Sequence, residues 1–174
     1  HEVVEELQPN PMIAPTLVPA PPTTGHQPLV LVVEDNVDMN RFIGDTLRAH
    51  YRVACAFNGQ QGLEQALAIA PDLIISDVMM PVMNGDQMVS ELRQWPKLAD
   101  VPIVMLTSKT DDDLCVKLLK MGIQHYLNKP FTVDGLLARV EKLLTERQRI
   151  REQLRESEAR FQATFEQAAV GIAI

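Results

Sequence analysis

The chain has 174 residues, 46% of them hydrophobic, with a net charge of −7 and a pI near 5.1; that suits one domain with a sizeable core plus appendages and argues against a general nucleic-acid or anionic-membrane surface. No apolar run approaches the roughly 20 residues needed to cross a bilayer, and no secretory signal is visible. Cys55 and Cys115 lie far apart without metal-ligand spacing and read as reduced thiols of a cytosolic domain.

The chain starts at His1 and stops at Gly171-Ile172-Ala173-Ile174, which reads as the start of a strand in a piece excised from a longer protein. Residues 8–28 carry seven prolines, so 1–27 is a semi-rigid extended linker. From Leu29 an alternation sets in. Strand-like apolar runs fall at about 29–34, 52–57, 72–77, 101–107 and 123–128. Helix-like segments fall between them at about 37–49, 60–70, 84–95 and 111–121, and a fifth begins near Thr132. Strand–helix repetition with near-continuous apolar strands predicts an α/β fold, a parallel sheet covered on both faces. The punctuation agrees. Asn58-Gly59 marks a turn, Pro71 closes the second helix and Asn84-Gly85 opens the third. Thr110 caps a helix whose first turn is Asp111-Asp112-Asp113, and Gly122 suits its end.

Several strands stop on polar groups. Glu34-Asp35 follow Leu29–Val33, Asp77 follows Leu73–Ser76, Thr107 follows Ile103–Leu106, and Lys129 follows Tyr126-Leu127-Asn128. Each alone has a bland reading. Asp35 or Asn36 could cap a helix, Asp77 could be a loop acid, Thr107 a cap or turn residue, and Lys129 a solvated surface charge. Together they fall at the carboxyl ends of parallel strands, where open sheets bind ligands. Gathered carboxylates repel unless a cation neutralises them. Magnesium prefers hard oxygen ligands and takes one or two carboxylates with phosphate oxygens, which leaves an acid free as a phosphoryl acceptor. The set therefore predicts a magnesium-assisted phosphoryl-transfer site on Asp77, with Lys129 and Thr107 holding phosphoryl oxygens.

The fifth helix does not stop with the sheet. A heptad seam runs through Leu136, Val140, Leu143, Arg147, Ile150, Leu154, Ser157 and Phe161, six of the eight apolar. Charged residues fill the other faces. That predicts a two-stranded coiled coil over 132–164 and a homodimer; the alternative is a lone amphipathic helix folded back on the domain.

Leu31–Asn36, Asp77–Gly85 and Tyr126–Phe131 resemble the three signatures of the receiver domains of two-component response regulators, over about residues 28–145. The resemblance implies a flavodoxin-like (βα)5 sheet in strand order 2-1-3-4-5. It implies Asp77 as phosphoacceptor, with Glu34 and Asp35 as the acidic magnesium pocket and the Met79 carbonyl as a further ligand. Thr107 and Lys129 would bind the phosphoryl group, and the Lys129-Pro130 bond would be cis. Tyr126 stands where the family keeps its switch aromatic, or is a plain half-buried strand tyrosine. Glu34 departs mildly from the pattern, since aspartate is common there. Met79 and Lys109 stand where the family tunes phosphoryl lifetime, and an apolar Met79 cannot orient an attacking water. A second, local resemblance covers Glu156–Ile172, which is similar to the opening of a PAS sensory domain, assigned to 165–174.

These resemblances imply a histidine kinase or histidine phosphotransfer domain as donor; the charge, the missing apolar span and the reduced thiols predict no nucleic-acid partner, no membrane contact by this segment and a cytoplasmic location. The parent would be a hybrid sensor kinase or a regulator with an enzymatic output such as a cyclic-dinucleotide synthase. Two other readings stand beside this one. A degenerate receiver would serve only in protein binding. An aspartyl-nucleophile hydrolase would need an acid two residues after Asp77, where Met79 stands.

Overall fold

A computed structural model describes residues 26–108 and 112–171, with side chains to Ala168. The linker over 1–25, Lys109, the Thr110 cap, Asp111 and the terminal 172–174 lie outside the described residues. In chain order the elements are β1 (Leu29–Val33), α1 (Val37–Arg48), β2 (Arg52–Ala56), α2 (Gly59–Ile69), β3 (Leu73–Asp77), α3 (Gly85–Leu92), β4 (Ile103–Ser108), α4 (Asp112–Lys120), β5 (His125–Lys129) and α5 (Val133–Gly171). The five strands are parallel, as the alternation predicts, in the order β2-β1-β3-β4-β5 that the resemblance implies.

The unbroken apolar strands have a direct cause. Alternate residues go to opposite faces, and both faces are covered. Leu31, Val33, Ile74 and Met105 join Ala66, Met88, Val89, Leu92 and Leu118 on one side. Val30, Val32, Leu73, Ile75, Val104 and Leu106 join Ile43, Leu47, Leu136, Val140 and Leu143 on the other. So α1 and α5 share one face of the sheet, while α2, α3 and α4 supply the other.

The helix starts are built from asparagines. Asn36, and not Asp35, caps α1 by accepting the Met39 N–H at 2.9 Å. Asn58 likewise caps α2, accepting the Gln61 N–H at 2.9 Å. This matters for the site, because Asp35 is left free of a capping role. Helix α3 ends at Leu92, short of the 84–95 span predicted. Beyond it the Arg93 guanidinium takes the carbonyls of Leu98, Ala99 and Val101 and ties the connection to β4.

Between β3 and α3 the chain turns tightly. Val82 sits at φ 69°, a strained region for a β-branched residue, and is 81% exposed. Gly85 opens α3 against the preceding strand end. A Cβ there would fall 2.1 Å from the Asp77 carbonyl oxygen, and backbone cannot yield as a flexible side chain can. Gly85→Ala is therefore expected to cost about 3 kcal/mol of stability. Urea unfolding checks this; a loss near zero would show that the loop tolerates the methyl.

The heptad seam needs a correction. Its first three positions, Leu136, Val140 and Leu143, are buried in the domain's own core, so they cannot form an intermolecular seam. Arg147 also faces the domain, donating to the Asp100 carbonyl at 2.8 Å. The free apolar stripe starts only at Ile150 and continues with Leu154 and Phe161, which are 61%, 59% and 73% exposed. The helix also runs on to Gly171, past residue 164 where it was predicted to end.

Candidate functional site

Parallel register is what gathers the polar strand ends. Val33 pairs with Ser76, Asp77 with Leu106, Thr107 with Asn128 and Ser108 with Lys129. Residues that follow β1 or end β3, β4 and β5 thus arrive on one rim. Ligand oxygens of Glu34, Asp35 and Asp77 lie within 4.8 Å of one another. The Lys129 ammonium bridges two of these acids, 3.0 Å from Glu34 Oε2 and 3.2 Å from Asp77 Oδ2. The Lys129-Pro130 peptide is cis.

The acids have different surroundings. Glu34 is 1% exposed; its other oxygen accepts the Asn36 N–H at 3.1 Å. Burial pushes its pKa above the ordinary value of 4.5, against the lowering pull of the Lys129 and Asn36 hydrogen bonds. Asp35 is exposed. Asp77 is partly open, with one oxygen held by the Val78 N–H at 2.8 Å and the other facing Lys129. Burial works against the Lys129 charge, but its hydrogen bond to Glu34 and the nearby Asp77 outweigh this, and its pKa lies above 10.5. The site therefore combines a buried acid, a cation, a half-open carboxylate and a solvent-facing carboxylate. Three hard oxygen donors so close form a donor set that suits a magnesium-like cation.

A pH consequence follows from Glu34. The native state holds its proton more tightly than the unfolded chain does. Its contribution to stability therefore falls as pH rises from the ordinary 4.5 through the raised native value. Lys129 acts at the other end: its contribution is present below 10.5 and is lost as pH rises through its raised value. Comparing wild type with Glu34→Gln by urea unfolding across the acidic range should show a wild-type disadvantage that grows with pH. A difference independent of pH would contradict this. Magnesium should shrink the disadvantage by neutralising the ionised carboxylate.

The other expected residues are placed as follows. Thr107 is 3% exposed, and its hydroxyl lies 2.9 Å from Asn128 Oδ1, so it is engaged across to β5. Tyr126, on β5, is 39% exposed, more open than the half-buried strand tyrosine weighed as its alternative. The Met79 side chain is 72% exposed. Two supporting residues carried no sequence signal. Asn40 is buried and donates to the carbonyls of Glu34 and Ala56, pinning the turn that presents the acid pair. Asn128 lies inside a quoted motif, yet nothing in its neighbours says that it engages Thr107. Beside Lys129 a shallow depression is lined by Asn36, Asp38, Met39 and Phe42. Cys55 is a free thiol whose pKa burial raises. No helix among the described residues is long and apolar enough to cross a membrane.

A doubly wound sheet with an acidic notch at its carboxyl rim defines a class, and comparison with known proteins agrees. The family model for the response regulator receiver domain matches residues 30–141, and the chain belongs to that family. It is 50% identical over 120 residues to hybrid signal transduction histidine kinase D of Dictyostelium discoideum, covering 69% of this chain and 8% of that protein. It is 47% identical over 119 residues to the sensor histidine kinase TmoS of Ectopseudomonas mendocina, covering 68% of this chain and 12% of that protein. The chain thus spans about a tenth of the length of these relatives. Among solved structures, the chemotaxis response regulator CheY4 of Vibrio cholerae superposes with a TM-score of 0.64 at 33% identity, covering 68% of this chain and 99% of that one. The chain therefore contains a receiver domain of two-component signalling, in the flavodoxin-like fold.

Proposed function

We infer that the domain accepts a phosphoryl group on Asp77 from a phosphohistidine donor. The observation that carries this reading is the pairing of the half-open Asp77 carboxylate with Lys129 at 3.2 Å, beside a buried and an exposed acid. Glu34, Asp35 and Asp77, with the Met79 carbonyl, would hold magnesium, which supplies charge neutralisation for the transfer. An Asp77 oxygen attacks phosphorus in line, the bond from phosphorus to the donor's imidazole nitrogen breaks, and the imidazole keeps the electron pair. Lys129 then exchanges its bond to Asp77 for one to the new phosphoryl oxygens. Thr107 leaves Asn128 for the same oxygens, which frees space for Tyr126 to turn inward from its exposed position. That is a local charge change biasing a two-state element.

The donor is a histidine kinase or histidine phosphotransfer domain. The apolar surface around the notch, including Val37, Phe42 and Met79, suits its docking. Homodimerisation through α5, a PAS module from residue 165, a cytoplasmic location and a hybrid-kinase parent belong to the same reading. The parent assignment is supported by the kinase names of the relatives. The receiver itself turns over no separate substrate, and a hydrolase reading lacks the acid that Met79 replaces.

Beryllofluoride with magnesium separates this reading from a degenerate receiver. Amide spectra should shift at Asp77, Thr107 and Tyr126; an unchanged spectrum would leave only a binding role. The exposed, apolar Met79 also sets an expected lifetime. With no polar group there to orient water, the acyl phosphate should persist for minutes or longer in magnesium. Loss of label within seconds would contradict that.

A further inference from the structure

We propose that Asn128 is a positioning residue that opposes phosphorylation: it holds the Thr107 hydroxyl in its resting place, and removing it raises the affinity of the site for a phosphoryl group. This rests on Asp77 as the phosphoacceptor and adds a residue that works against the switched state.

Thr107 of β4 and Asn128 of β5 are register partners, so their side chains leave the same face of the sheet. The Thr107 hydroxyl donates to Asn128 Oδ1 at 2.9 Å. The two ends of this bond differ in surroundings. Thr107 is 3% exposed, whereas Asn128 is exposed on a strand at the edge of the sheet. Asparagine is depleted in strands, where branched and aromatic residues are favoured. Here it stands inside one, His125–Lys129. Its carboxamide supplies the acceptor that a secluded hydroxyl needs.

A hydroxyl carries a single proton to donate. The Asn128 amide oxygen and a phosphoryl oxygen are both acceptors, so Thr107 serves one or the other and never both. Buried as it is, the hydroxyl cannot fall back on water, and a buried donor left unmet is costly. Thr107 thus has two places and no stable position between them. The bond to Asn128 stabilises the first place, and a phosphoryl group draws Thr107 away only by offering a better acceptor. Asn128 loses little on release, because its exposed carboxamide can turn to water. The resting bond is therefore a net brake on the exchange. It also stands beside the aromatic that responds: Tyr126 lies two residues before Asn128 on the same face, paired with Met105 as Asn128 is with Thr107.

Titration of the full chain with beryllofluoride in magnesium, followed by the Tyr126 amide signal, tests this. Asn128→Val keeps a good strand former and deletes the acceptor. It should tighten beryllofluoride about fivefold, the size of one neutral hydrogen bond. It should also lower the thermal midpoint of the ligand-free protein while leaving the saturated protein close to wild type. Made in a Thr107→Val background, the same substitution should leave the affinity unchanged, because no hydroxyl remains to be held. A substitution that only disturbed β5 would act alike in both backgrounds. Unchanged or weaker binding by Asn128→Val, or an equal gain with Thr107→Val in place, would overturn the proposal while wild-type binding still upholds Asp77. A wild-type protein that binds no beryllofluoride would overturn the Asp77 reading and this proposal together.

Discussion

Asp77→Asn is expected to take up no label from acetyl phosphate or from a phosphorylated histidine kinase, while remaining folded. The substitution keeps size and shape, and the amide oxygen can still accept the Val78 N–H that now meets the carboxylate at 2.8 Å. What it removes is the nucleophile, since an amide oxygen is a poor attacker and forms no stable acyl phosphate. Stability should hold or rise slightly. The variant deletes one of three carboxylates whose oxygens crowd within 4.8 Å, and like charges so close destabilise one another. Magnesium should stabilise the variant less than wild type, because one ligand and one negative charge are gone. Label incorporation and thermal unfolding with and without magnesium are the measurements. Wild-type labelling of Asp77→Asn would place the acceptor elsewhere.

The second large effect belongs to Lys129. Replacing it with methionine keeps the stem and deletes a cation bonded to Glu34 and Asp77 at 3.0 and 3.2 Å. Phosphorylation should slow by about 100-fold, the usual cost of losing one charged donor to a transferring group. Magnesium, however, should bind more tightly, because Lys129 competes with it for two of the same acids. Glu34, buried and already pushed up in pKa by its surroundings, would take up a proton more readily without its partner. The stability loss in the absence of magnesium is therefore limited to about 1–2 kcal/mol. Tighter magnesium with slower transfer distinguishes a phosphoryl-holding lysine from one that only shapes the metal pocket; weaker magnesium and unchanged transfer would reverse the assignment.

The fold was legible because its signals are periodic. Five apolar runs punctuated by Asn36, Asn58, Asn84 and Gly122 describe a parallel sheet without help from tertiary structure, and strand ends followed within a residue or two. The site was legible for the same reason: parallel strands of similar length deliver their last residues to one rim. Partners at a distance were not legible. Nothing local tells that Asn40 ties the Glu34 turn to Ala56, or that Arg93 holds three carbonyls after α3. The seam shows the limit most clearly. Leu143 and Leu154 carry the same heptad signal, yet one is buried by its own sheet and the other is 59% exposed. Periodicity reports an apolar face and not who covers it. Arg147 is the residue that marks the change, and in sequence it read only as an imperfection in the repeat.

On the proposed function one carboxylate, at residue 77, receives the phosphoryl group. The direct measurement is reduction of the wild-type protein with tritiated borohydride after exposure to acetyl phosphate and magnesium, followed by peptide mapping. An acyl phosphate at that position would yield tritiated homoserine in place of Asp77 and at no other acid. Tritium at Asp35 or Glu34, or none at all, would contradict the account.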